Sequence, residues 1–166
     1  MFSPMSLGVA EMNGSNRDMV WAEQELWLIG PEHMIVPLTA EWSYSHEDPY
    51  AVTMSLDTGA DQPVVWTFAR DLLATALLAP AGMGDVQAWP AAESAAAPED
   101  GAPAEDGTGG KVLNIVLGSP DGCARFETDA TGIEAFLARA FELVPAGQES
   151  GHLNIDAGLV ELLTQA

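Results

Sequence analysis

Apolar and polar residues alternate along the chain from Val20 to Phe68 and again from Val112 to Thr128. Within Val20–Ile29, the residues Val20, Ala22, Leu26 and Leu28 share one parity with Gln24. Trp21, Trp27 and Ile29 share the other with Glu23 and Glu25. One face is mainly apolar and the other mixed, which predicts a strand in a sheet covered on one side. Ile35 to Tyr44 predicts a second strand. Pro37 should sit there at an edge or bulge, because it has no N–H to give a ladder. After the turn at Ser45–Pro49, the residues Tyr50, Val52, Met54 and Leu56 point one way, and Ala51, Thr53 and Ser55 the other. Asp57-Thr58-Gly59 then turns the chain into a strand bearing Val64, Trp66 and Phe68.

The period changes near Ala69. Ala69, Leu72, Leu73, Ala76 and Leu77 recur at helical spacing, and Pro80 and Gly82 end that helix. Asp85–Trp89 predicts a further strand, closed by Pro90, and Val112–Leu117 a central one. Ser119-Pro120-Asp121-Gly122 is a strong turn, with proline suited to its second position and glycine supplying positive φ. Cys123–Thr128 returns as the partner strand. Thr131 and Glu134 stand in capping-box spacing at the head of a second helix. Its apolar stripe is Ile133, Phe136, Leu137, Ala140, Phe141 and Val144, stopped by Pro145. A last short helix is expected from Asp156, with Ile155 and Val160 as a hydrophobic staple and Leu159, Leu162 and Leu163 packing it down. Several antiparallel strands followed by a helix, twice over, predict an α+β domain: antiparallel β-sheets with two to three helices on one face.

Two segments stand apart from this pattern. Residues 1–19 read as a flexible N-terminal extension to a domain spanning 20–166. Residues 91–110 hold seven Ala, four Gly, two Pro and five acids, with no side chain large enough to build a core. They read as a disordered acidic insertion rather than a domain boundary, since the flanking strands can pair across it.

Charge removes whole classes of function. Against 25 acidic residues stand Arg17, Arg70, Lys111, Arg125 and Arg139, for a formal net charge of −20. Such a surface repels phosphate backbones and anionic headgroups. Cys123 is alone, so neither an intrachain disulfide nor a cysteine-based metal knot is expected. His33, His46 and His152 lack the short spacing of metal ligands, so no metal and no cofactor is expected. No G-x-S-x-G elbow occurs, and Gly82-Met83-Gly84-Asp85 precedes a strand where a phosphate loop needs a helix. These absences predict a protein without catalysis. No apolar run approaches the ~18 residues of a membrane span, and Met1–Met19 lacks the charge order of a secretory signal.

Partner contacts are the remaining chemistry. Exposed tryptophan is a frequent interface anchor, which makes Trp21, Trp27 and Trp42 the candidates, with core packing the competing reading for each, while Trp66 and Trp89 belong to the core. Arg70 opens a helix whose dipole disfavours it. It therefore needs a specific carboxylate partner or a contact with another protein.

Five strings in order carry a resemblance: D-P-Y-A-V at 48–52, T-G-A at 58–60, F-A-R-D-L-L at 68–73, G-D-V followed by W-P across 84–90, and S-P-D-G at 119–122. The chain resembles the SsgA-like proteins of actinomycetes over about 20–166, apart from the acidic insertion. That resemblance implies a pair of antiparallel sheets with helices, similar to the whirly single-stranded-DNA-binding proteins, assembled as a trimer. It implies a cytoplasmic, non-enzymatic role in sporulation-linked division. The protein would select septum sites by recruiting the tubulin-like GTPase FtsZ or a sister SsgA-like protein at the septum. The whirly likeness raises the alternative of single-stranded nucleic-acid binding, which the net charge opposes. A wall hydrolase would require a cleft with two close carboxylates. Two departures from the family pattern are Gln87, where a basic residue is often found, and the length of the acidic insertion.

Overall fold

The computed structural model describes residues 18–91 and 111–153. Four strands come first: β1 (Met19–Ile29), β2 (Ile35–Ser45), β3 (Ala51–Asp57) and β4 (Val64–Ala69). Helix α1 (Arg70–Ala76) follows, then β5 (Val86–Ala91), β6 (Val112–Ser119), β7 (Gly122–Asp129) and helix α2 (Ala130–Leu143). Short 3₁₀ turns lie at Pro31–His33 and Glu149–His152. The strands form one antiparallel sheet in the order β4-β3-β2-β1-β7-β6-β5.

Two sets of consecutive strands meet at a short seam. Only Leu26–Ile29 of β1 pair with Arg125–Thr128 of β7, so Met19–Glu25 diverge from β7. Helix α2 starts where β7 ends and packs mainly on β1. The Gln24 side-chain amide donates to Thr128 Oγ1 and to the Asp129 carbonyl, and Arg139 Nη1 donates to the Trp21 carbonyl at 3.2 Å. These bonds give partners to polar groups beside the gap in the ladder.

Alternation decides the core. The inner face presents Val20, Leu26, Trp42, Tyr44, Val52, Met54, Phe68, Leu113, Ile115 and Phe126 to Leu73 and Ala76 of α1 and to Ile133, Phe136, Leu137 and Ala140 of α2. Trp42 is completely buried, edge-on to Phe68 with centroids 6.1 Å apart and 6.3 Å from Phe136. Its candidacy as a partner contact is corrected in favour of the competing core reading: Trp42 pairs with Ala22 and Met54, and so takes the parity of the inner face. Tyr50 precedes β3 and is exposed, because the Asp48–Tyr50 turn lifts it out of the strand's alternation. Pro37 pairs with Trp27, but β3 reaches β2 only at Thr39–Tyr44, so its other side needs no N–H.

Boundaries shift slightly. Asp129, rather than Thr131, caps α2, its carboxylate accepting from the Thr131 N–H at 2.9 Å. Met19 pairs with Ser45 and the Asp18 carbonyl accepts from the His46 N–H, so pairing already includes the last residues of the expected 1–19 extension. Ala91 pairs with Val112 in an antiparallel β5–β6 ladder, the strand pairing anticipated across the acidic segment. The expected Asp156 helix, residues 1–17 and residues 92–110 lie outside the described residues.

The 82–85 segment is a turn, as its glycines suggest. Ala81 and Ala88 exchange hydrogen bonds of 2.8 and 2.9 Å, and Gly82 makes the reversal at φ +88. A Cβ at Gly82 would lie 2.1 Å from the Val86 carbonyl oxygen, whereas one at Gly84 would meet nothing within 4 Å. Gly82→Ala should therefore lower stability by about 1–3 kcal/mol and Gly84→Ala by much less, as compared in urea unfolding.

Candidate partner-binding surface and its internal support

Arg70 stands where β4 turns into α1, and its side chain runs inward. It is 1% exposed. Its guanidinium donates to Tyr44 Oη at 2.8 Å and to the Val144 carbonyl at 2.7 Å, with a looser bond to the Ala140 carbonyl. It also forms an ion pair with Glu149 in the 3₁₀ turn after α2. The plane lies 4.1 Å above the Phe141 ring centroid, and Tyr44 Oη donates onward to the Pro49 carbonyl at 3.0 Å. An unfavourable charge at the head of α1 thereby becomes a cap for the last carbonyls of α2. Arg70 has its carboxylate, 79 residues away. A contact with another protein is corrected: the side chain is too buried to reach one.

The network loads one titration. Burial pushes the Tyr44 phenol above its ordinary 10.0, the Arg70 charge pulling it partly back while Glu149, Asp48 and Asp71 push it further up. The neutral phenol is thus the form the fold favours.

The opposite face of the sheet carries no described helix. Along β1 it presents Trp21, Glu23, Glu25 and Trp27, with both tryptophans half-buried and both glutamates exposed. Glu23 lies directly across from Glu41, a like-charge pair with no basic neighbour in the register. An open depression of about 390 Å³ beside them is lined by Glu25, Pro37, Leu38, Thr39, Asp57, Thr58 and Gly59. Of the four sequence candidates, the structure therefore keeps Trp21 and Trp27 on one surface and withdraws Trp42 and Arg70 into the interior.

Sequence reasoning missed a polar row on this face. Pro37, Trp27, Glu127, Asn114 and Trp89 follow one another across five strands. Trp89 thus faces outward and not into the core, since its neighbour Ala88 takes the inner position. Asn114 and Glu127 are buried, and Arg125 joins them, donating to Asn114 Oδ1 and Glu127 Oε1 at 2.9 Å each. Asn114 Nδ2 has no acceptor among the described residues. The signal was there: Asn114 interrupts the apolar run Val112–Leu117 at an outward parity. Sequence spacing also hid His46 and His152, whose rings stand 6.0 Å apart. Among the described residues no three potential ligands gather for a metal. No described helix is long and apolar enough to cross a membrane.

Comparison with known proteins places this geometry. The family model described as "Streptomyces sporulation and cell division protein, SsgA" matches residues 38–149. The sporulation-specific cell division protein SsgB of Thermobifida fusca is 40% identical over 150 residues, 90% of this chain and 99% of that protein. SsgB of Streptomyces coelicolor is 37% identical over 147 residues, 89% of this chain and 97% of that one. A solved structure of SsgB, whose mutations correlate to longitudinal cell division during sporulation of Streptomyces coelicolor, matches with a TM-score of 0.70. It is 38% identical and covers 84% of this chain and 100% of that one. The crystal structure of the SsgA-like sporulation-specific cell division protein from Thermobifida fusca matches equally at 0.70, with 40% identity, 89% of this chain and 98% of that one.

Two outcomes are expected of the Arg70 network. Glu149→Gln leaves a buried guanidinium without its counter-charge and should cost about 3 kcal/mol in denaturant unfolding. The stability that neutral Tyr44 contributes is complete below pH 10 and is lost as pH rises past the ordinary tyrosine value. Unfolding free energy should therefore fall more steeply above pH 10 in the natural protein than in Tyr44→Phe.

Proposed function

The chain belongs to the SsgA family of sporulation and cell division proteins, and from that premise we propose a non-catalytic adaptor that helps set septum position. It recruits FtsZ or a sister SsgA-like protein, in the cytoplasm at the forming septum. An oligomer, a trimer by family resemblance, supplies several copies of one binding face and so raises the local concentration of partners.

The observation that carries this reading is the sheet face that no described helix covers. Half-buried Trp21 and Trp27 flank the unneutralised Glu23 and Glu25 on it, with Glu41 and Asp57 on the adjoining strands. Aromatic anchors that keep part of their surface in water, ringed by polar groups, are the composition of interface centres. The carboxylates favour a partner surface bearing lysine or arginine and oppose a phosphate backbone.

Co-sedimentation with FtsZ from the same organism, with and without GTP, tests the recruitment. Enrichment in the polymer pellet is expected, and Trp27→Ala should weaken it about tenfold or more while leaving the thermal midpoint nearly unchanged. A protein that stays in the supernatant but binds a sister SsgA-like protein would move the adaptor one step away from the polymer. Binding to neither would overturn the reading.

A further inference from the structure

The sheet has two edges, and the chain treats them differently. At β5, Pro90 withholds an N–H and Ala81 pairs with Ala88 in both directions, so the edge is blunted. At β4 the sequence is Val64-Val65-Trp66-Thr67-Phe68-Ala69, without proline or charge, and its register with β3 runs unbroken. Among the described residues nothing pairs with its outer side.

The direction of the free backbone groups follows from one bond. The Arg70 N–H donates to the Tyr50 carbonyl at 2.8 Å, and Ala51 pairs with Ala69. Even-numbered residues of β4 thus address β3, while Val65, Thr67 and Ala69 turn their N–H and C=O groups outward. Val64 and Val65, at the start of this edge, are 43% and 57% exposed. A six-residue apolar edge of this kind is ready to be extended by another strand.

We propose that β4 accepts an extended segment of a partner protein as an eighth strand. That segment alternates apolar residues and carries lysine or arginine at its ends. The alternate apolar side chains would cover Val64 and half-buried Trp66 on the inner side. The basic ends would meet exposed Asp61 before β4 and exposed Asp71 just after it. A second copy of this chain fits poorly, because antiparallel β4–β4 pairing would bring Asp61 of one copy beside Asp71 of the other, each copy carrying a formal charge of −20. The inference rests on the adaptor reading for the occupant being a protein and deepens it by naming the contact.

The test uses the full chain, labelled with ¹⁵N, and two synthetic peptides: Lys-Val-Thr-Val-Thr-Val-Lys and its counterpart with glutamate ends. The lysine peptide is expected to bind with shifts and slowed amide exchange centred on Val65, Thr67 and Ala69. The glutamate peptide should bind at least tenfold more weakly. Val65→Pro deletes an outward N–H without removing any β3–β4 bond and should abolish peptide binding. Should it fail to fold, Val65→Lys, which repels the basic peptide, is expected to weaken binding by a similar factor. Shifts elsewhere only, equal binding of both peptides, or binding unaffected by Val65→Pro or Val65→Lys would overturn the proposal. So would β4-mediated dimerisation seen by light scattering. FtsZ pelleting without any peptide binding would sink the edge and spare the adaptor. Peptide binding with neither FtsZ nor a sister protein recruited would sink those partners and spare the edge.

Discussion

One guanidinium ties together segments that the chain order keeps apart. Arg70 reaches β2 through Tyr44, the end of α2 through the Val144 carbonyl, and the turn beyond it through Glu149. Desolvating a charge is costly, and the cost is offset here only because acceptors converge on it from several sides. The two helices, which share few direct contacts, are thereby held in register over the inner face. A lysine could not replace it, since a point charge cannot address a carbonyl, a phenol and a carboxylate in one plane.

This arrangement leaves the two sides of the sheet with separate tasks. The inner side is apolar and closed by α1 and α2. The outer side keeps tryptophans, carboxylates and the Arg125–Asn114–Glu127 cluster, none of which a simple covering helix would require. Membership in the SsgA family gives that division a setting, a protein of sporulation and cell division.

Period-2 alternation made the strands legible, and the change to helical spacing after Ala69 marked α1 within a residue. The SsgA-like motifs carried the family. Burial at single positions was harder to read. Trp42 and Trp27 are both strand tryptophans, and only the pairing of β2 with β1 and β3 tells which parity faces the helices. Arg70 announced itself through its clash with the helix dipole, but its partner Glu149 lies 79 residues on, where local pattern has no reach. Long-range register, and not residue type, was the missing information.

The seam between β1 and β7 has a consequence in chain statistics. Leu26 pairs with Thr128, 102 residues later, whereas most other strand pairs are hairpin neighbours. Joining the halves is thus the one loop closure that spans most of the domain, and it sets the contact order of the fold. Closure entropy grows only with the logarithm of loop length. Nineteen more residues in a loop of that length add only about 0.2 kcal/mol to its closure. The topology therefore permits the β5–β6 connection to vary widely in length among relatives while the seam stays closed.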